Sequence, residues 1–205
     1  MDSTLWDERY AATDLVWSVE PNMFVVEEIT RLIHANGQIT DKRALDLAGG
    51  EGRNAIWLAE KGYQVELVEF SPVALDKARR IADKRGVTIT TTLADVTGQA
   101  DLQPADLVLV CYLQLEKPAL AAALANAARL VAPGGVLLVI AHDHDNLERG
   151  YGGPQNPAHL PTVQDVVDAV AGDLAIERAE QARRIVETDD GPKEAIDLIV
   201  RARRT

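Results

Sequence analysis

The chain has 205 residues, 47% of them apolar and 26% charged, the composition of one globular domain with enough apolar area for a core. Its 21 basic residues against 32 acidic ones leave a net charge of −11, which argues against nucleic acid and anionic membrane surfaces as partners, since both need a basic excess. No apolar run reaches membrane-spanning length, the opening MDSTLWDERY is too polar for a secretory signal, and the lone Cys111 excludes an internal disulfide and a cysteine-based zinc cluster, so the expectation is a cytoplasmic protein, monomeric or homodimeric.

Aromatic residues are few, and Trp6, Tyr10, Trp17 and Phe24 crowd the first 24 positions, as lining for a pocket or as a staple onto the core. A helix is predicted over about 21–36, with Val25, Ile29, Leu32 and Ile33 on one face and Gly37 after its end. Residues 43–48 (RALDLA) form the first strand, followed by a glycine-rich turn and a helix over 53–61 that Gly62 stops. Residues 63–70 (YQVELVEF) form the second strand, and Ser71 caps a helix that starts with Pro72 and ends at Arg85. Strands follow at 87–94 and 105–111, then a helix over about 117–131 with Leu120, Ala123, Leu124 and Ala127 in one stripe. Pro133-Gly134-Gly135 ends that helix, and a fifth strand covers 136–141. An irregular stretch, 142–161, is long enough to suggest a functional loop or lid. Thr162 and Asp165 form a capping box for a helix carrying Val163, Val166, Val167 and Val170. Two last strands, about 174–183 and 193–203, flank the turn Thr188-Asp189-Asp190-Gly191. Alternating elements of this kind predict a mainly parallel α/β sheet.

The chemistry gathers at Asp46-Leu47-Ala48-Gly49-Gly50-Glu51-Gly52, between a strand and a helix, where such sheets bind ligands. The stretch from Gly50 to Ala55 matches the dinucleotide pattern G-x-G-x-x-A, and Glu69 follows at the distance of a ribose-binding acid. That pattern alone admits an NAD(P)-dependent oxidoreductase. Asp46 ahead of the glycines and Glu51 inside the turn oppose it, because a pyrophosphate there would meet carboxylates. Asp95 closes the third strand with another acid. Asp46, Glu69 and Asp95 at three successive strand ends describe a ligand with a cationic end, a ribose and an exocyclic amine, features that S-adenosylmethionine combines.

On these residues the sequence resembles the class I S-adenosylmethionine-dependent methyltransferases, by motif over about 40–142 and by element order over nearly the whole chain. ALDLAGGEGRNA is similar to the family's glycine-rich first motif, with Ala48 in the first glycine position. The resemblance implies a doubly wound seven-stranded sheet of order 3-2-1-4-5-7-6, strand 7 antiparallel, with helices on both faces. It also implies one domain over 1–205, with 1–20 as a lid and 142–161 near the active site. Asp46, Ala48, Gly50 and Gly52 would contact the methionine part, with Gly49, Asn54 and Ser71 beside them. Glu69 would take both ribose hydroxyls, Phe70 would pack near the adenine, Asp95 would accept from its amine and Val96 would offer a backbone N–H. Cys111 and Leu113 would line the floor near the sulfonium. WDERY followed by VWSVEPN is similar to the start of small-molecule branches, tellurite-resistance-type and thiol-methyltransferase-like, so Trp6, Tyr10 and Trp17 would close over the cofactor. The implied activity is methyl transfer to a small-molecule acceptor by in-line displacement, with S-adenosylhomocysteine as product. A binding module without turnover is the other class that intact acids allow.

Catalytic residues are harder to name, because a base is required only for an acceptor that is protonated at working pH; thiolates, tellurite and halides need none. His142, Tyr112 and Tyr151 are the candidates. His142-Asp143-His144-Asp145 suits a base, a solvated polar loop or a metal pair, and no metal site is expected from it. Arg183, Arg184, Arg201, Arg203 and Arg204 gather on the last two strands, as a solvated edge face or a surface for an anionic partner.

Overall fold

Strands covered by helices on both faces read as nearly continuous apolar runs. The computed structural model describes residues 3–13, 15, 16, 19–37, 39, 41–98 and 100–205. In it, β1 (Arg43–Leu47), β2 (Gln64–Glu69), β3 (Thr90–Leu93), β4 (Ala105–Cys111) and β5 (Val131–His142) are parallel. β7 (Lys193–Arg203) lies antiparallel to β5, and β6 (Ala175–Val186) pairs with β7 at the edge. The order β3-β2-β1-β4-β5-β7-β6 is the expected one.

Helices α2 (Met23–Asn36), α3 (Arg53–Glu60) and α4 (Pro72–Arg85) cover one face, where Val25, Ile29, Leu58 and Leu75 pack on Leu67, Leu109 and Ile140. On the other face α5 (Lys117–Arg129) and α6 (Val163–Val170) bury Leu120, Leu124, Val166 and Val170 against Leu45, Val108 and Val200. The helix starts follow local chemistry. Ser71 Oγ accepts from the Ala74 N–H at 3.2 Å, with Pro72 beginning α4. Both halves of the Thr162/Asp165 capping box are present. Asn22 caps α2, its Oδ1 accepting from the N–H groups of Phe24 and Val25 at 2.9 and 3.2 Å.

Three features depart from the sequence expectations. The leader contains a helix, α1 (Ser3–Ala11), which packs on α4. Pro133-Gly134-Gly135 does not end the helix, which stops at Arg129, but lies inside β5, where the β4–β5 register shifts. Gly135 is needed there, because a Cβ would stand 2.8–3.0 Å from the carbonyl oxygens of Ala132, Ala105 and Asp106. The arginines of β6 and β7 are also less solvated than expected. Arg183 is exposed and paired with Glu194. Arg201, with a side chain 19% exposed, joins Arg178 on the fully buried Glu28 of α2, and Arg201 and Arg203 share Glu177. The edge hairpin is thereby riveted to α2.

Candidate functional site

Three alternating left-handed residues build the floor. Ala48 (φ 55°), Gly50 (φ 59°) and Gly52 (φ 79°) bracket the turn between β1 and α3. The glycines adopt this freely, whereas Ala48, in the position where the family carries glycine, holds it at a cost of about 1–2 kcal/mol. Gly49 is a close approach: a Cβ would stand 2.4 Å from Leu67 Cδ1 and 2.7 Å from the Asp46 carboxyl. Ala48, Gly49, Gly50, Arg53 and Asn54 line the cavity above. Asp46 does not. It is fully buried behind Gly49, and neither carboxylate oxygen has an aligned hydrogen-bond partner. Burial pushes its carboxyl up to about 7, against the pull of the Ala55 N–H and of Arg53. Gly52 and Ser71 also act from behind: a Cβ on Gly52 would stand 3.0 Å from Ala78 Cβ, and Ser71 is the α4 cap.

Glu69 ends β2 at the cavity wall, almost wholly buried. Its Oε2 accepts from the Gly50 N–H and its Oε1 from those of Phe70 and Ser71, each at 3.0 Å. Burial raises its carboxyl above the usual value, the three N–H groups oppose this, and nearby Asp7 adds to it. Phe70 and Leu113 join this cavity to an adjoining recess lined by Asp95 and Val96. Asp95 is exposed and accepts from the N–H and hydroxyl of Thr97 at 2.8 and 2.7 Å. Burial opposes the effect, but those bonds hold its carboxyl below the usual range.

The leader closes the opposite wall. Trp6 and Tyr10 line the cavity with ring centroids 5.7 Å apart, and Trp17 lies outside the described residues. Lys77 on α4 holds this segment down, donating to the carbonyls of Tyr10 and Thr13 at 2.6 Å and to Glu51 at 3.0 Å. Glu51 also accepts from the Val16 N–H, at 3.0 Å to Oε2. Asp7 accepts from Ser71 Oγ. Glu51, which looked in sequence like a misfit inside a ligand-binding turn, is the latch of the leader.

Residues 44–135 match the family described as Methyltransferase domain. Over this stretch, a little under half of the chain, the sequence is similar to methyltransferase domains. The tRNA 5-carboxymethoxyuridine methyltransferase of Escherichia coli K12 is 39% identical over 72 residues, 33% of this chain but only 27% of that protein. Among solved structures, one described by the conversion of a disulfide bond into a thioacetal group during echinomycin biosynthesis is 22% identical, with a TM-score of 0.75 over 98% of this chain and 92% of that one. The N-methyltransferase NodS from Bradyrhizobium japonicum WM9, in complex with S-adenosyl-L-homocysteine, is 20% identical, with a TM-score of 0.72 over 100% and 99% of the two chains. Nothing in these likenesses favours an oxidoreductase.

The ends of β4 and β5 and the middle of β7 meet in one polar cluster beside the cavity. Tyr112 lines the cavity in the left-handed region (φ 58°), strain of the kind that collects at functional sites. Its hydroxyl donates to Asp197 Oδ2 at 2.8 Å and accepts from Asn22 Nδ2 at 3.2 Å. Asp197, opposite His142 in the β5–β7 register and fully buried, also accepts from Arg184 Nε at 2.7 Å. His142 Nδ1 approaches Asp197 Oδ1 at 2.8 Å, a close polar contact rather than an aligned hydrogen bond. The His142 ring stacks on Tyr112 at 4.6 Å, and a Cβ on Gly153 would come within 3.1 Å of its Cδ2, Cγ and Nε2. His142 is therefore covered by the 142–161 segment and is not on the cavity wall. Tyr151 is exposed, away from the cavity, and His144 is exposed as well. The segment is pinned: Asn146 accepts from the Ile196 N–H at 2.7 Å and donates to the Gly152 carbonyl at 2.8 Å, while Leu160 is fully buried. Among the described residues, no three His, Cys, Asp or Glu groups are arranged to hold a metal, and no helix is long and apolar enough to cross a membrane.

Sequence reasoning missed Lys77, Asp197 and Arg53. Lys77 and Asp197 sit in elements whose pattern carries no ligand signal, and only the packing of α1 on α4 and the pairing of β7 with β5 reveal them. Arg53 stood inside the recognised motif, but an arginine there reads in sequence as an ordinary first-turn residue.

Proposed function

We propose that the protein moves a methyl group from S-adenosylmethionine to a small-molecule acceptor in the cytoplasm, as a monomer or homodimer. The observation that carries this reading is the joining of the glycine turn, Glu69 and the Phe70–Asp95 recess into one cavity closed by the Trp6–Tyr10 leader. The residues present suit the cofactor. Glu69, oriented by three backbone N–H groups, keeps one of its roughly four lone-pair sites, on Oε2, for a ribose hydroxyl. Phe70 and Leu113 offer apolar walls for the adenine, with Asp95 and Val96 at its edge. Ala48, Gly49 and Gly50 let the backbone approach the methionine end, and the Asp46 carboxyl acts on its ammonium only through space, across Gly49.

When bound, S-adenosylmethionine supplies a methyl group already activated by its sulfonium. The chain's task is to align the acceptor and exclude water, and the Trp6 and Tyr10 rings do the latter. Cys111 is no nucleophile, since burial pushes its thiol up to about 12, with Arg53 pulling the other way. Tyr112 is no base: burial and the adjacent Asp197 raise its phenol well above the usual value, so it orients as a neutral hydroxyl. His142 would meet an acceptor only if Gly153 withdrew. The described cavity wall thus favours acceptors that need no proton removed at the moment of transfer. The net charge of −11 speaks against tRNA, the substrate in the bacterial relative's name, as the acceptor.

Calorimetric titration with S-adenosylhomocysteine and, separately, NADH tests the cofactor class; micromolar binding of the first alone is expected, and binding of NADH alone would reject the proposal. Glu69→Ala is expected to weaken S-adenosylhomocysteine binding by about 1–3 kcal/mol. An unchanged affinity in that variant would remove the ribose assignment. Lys77→Met is expected to free the leader, so that proteolysis within the first 20 residues quickens several-fold and nucleoside affinity falls while the core melts as before. If limited proteolysis shows the leader equally protected, Lys77 is not its anchor.

A further inference from the structure

We infer that Arg53 is a carboxylate-binding residue of this site, an inference that rests on the methyltransferase reading. Arg53 is the first residue of α3 and half-buried, and no other arginine or lysine lines the cavity among the described residues. It makes no ion pair with any described carboxylate, although most arginines near the sheet are paired. Its charge reaches the buried Asp46 through space without contact. The other cavity acids are committed, Glu51 to Lys77 and the leader, Glu69 to three N–H groups. The guanidinium lies 5.9 Å from the Tyr112 ring centroid, which places it at the junction of the cofactor cavity and the Tyr112–Asp197 cluster.

A partly desolvated guanidinium without an acid partner is an unfavourable arrangement that a planar anion relieves by a bidentate bond. The local field points the same way. α3 has no acidic residue in its first turn and no side-chain cap, so no neighbour on its own helix neutralises Arg53. A carboxylate can come from two sources: the α-carboxylate of the cofactor's methionine end, or an acid group on the acceptor.

The test compares wild type with Arg53→Gln. S-adenosylhomocysteine, which carries the carboxylate, and methylthioadenosine, which lacks the whole amino-acid end, are titrated into both proteins. If the cofactor is the source, the variant binds S-adenosylhomocysteine at least tenfold more weakly and methylthioadenosine equally well, and the second result also shows that the variant is folded. If the acceptor is the source, S-adenosylhomocysteine affinity is unchanged, but saturation-transfer NMR on the loaded proteins shows benzoate contact in wild type that the variant loses, with benzamide silent in both. Arg53→Lys, which keeps the charge without the planar fork, recovers part of whichever effect is seen. Equal behaviour of wild type and Arg53→Gln in both arms overturns the inference while leaving the methyltransferase reading intact. Failure of wild type to bind either nucleoside defeats both.

Discussion

Replacing Asp46 with asparagine is expected to stabilise the ligand-free protein at pH 8 and to change it little at pH 4. The Asp46 carboxyl is fully buried without an aligned partner, and its value is raised from 3.8 to about 7. Below the unfolded value the group is neutral in both states, so it exerts no pH-dependent effect. As pH rises from about 4 to about 7, the unfolded chain releases the proton and the folded one does not, so the native state loses relative stability throughout that window. Above about 7 both states are ionised and the penalty is constant, of order 4 kcal/mol at most. Asparagine has the same shape and no such term. Denaturant titrations of both proteins at several pH values measure the gap, which should open between pH 4 and 7 and stay open beyond. A gap that does not vary with pH would mean that Asp46 is ionised comfortably where it sits. A stability cost at this position, kept in a strand end beside the binding turn, is what a through-space role toward a cationic ligand would require; the asparagine variant should accordingly bind S-adenosylhomocysteine less tightly.

Asp197→Ala is expected to act in the opposite sense and more broadly. Removing this carboxylate strips the Tyr112 hydroxyl and the Arg184 Nε of their acceptor and leaves a guanidinium only 22% exposed without a counter-charge. Breaking a buried pair from one side costs about 3–5 kcal/mol, and chemical denaturation at pH 7 reads it directly. Asp197→Asn keeps the shape but not the charge, so its loss should be smaller. The pH dependence also differs from that of Asp46. Burial alone would raise the Asp197 carboxyl, but His142, Arg184 and Tyr112 outweigh it and hold the value below 3.8. Its stabilising effect is therefore complete above the unfolded value and fades as pH falls through the lower folded one. Wild type should lose its advantage over Asp197→Ala only in acid. A loss below 1 kcal/mol at pH 7 would show that the cluster does not depend on this residue.

These two aspartates illustrate what could be read in the chain and what could not. Asp46 was visible, because an acid followed by clustered glycines at a strand end is a local pattern. Its burial behind Gly49 was not, because it depends on Leu67 of the neighbouring strand closing the space. Asp197 was invisible. In sequence it is one acid in an alternating edge hairpin, and its partners lie 85 residues away at Tyr112, 13 away at Arg184 and on β5 at His142. The same contrast holds for Glu51, whose partners are a leader backbone 35 residues upstream and a lysine 26 residues downstream.

The sequence by itself determined the seven strands, the helices between them and their order, though not the leader helix α1. Apolar runs, glycine stops and capping residues such as Ser71 and Thr162 act within a few residues, so their physics is present in any short window. It also determined the ligand-facing turn, since left-handed backbone between a strand and a helix needs glycine or tolerates alanine at a cost. Only the tertiary structure decided which charges are neutralised and which are free. Asp46 is sealed, Glu51 latched, Asp197 shared by three groups and Arg53 left facing the cavity because α1, α4 and β7 were brought against the strand ends by packing. Charge pairing depends on distance and burial, and neither is a property of neighbours along the chain.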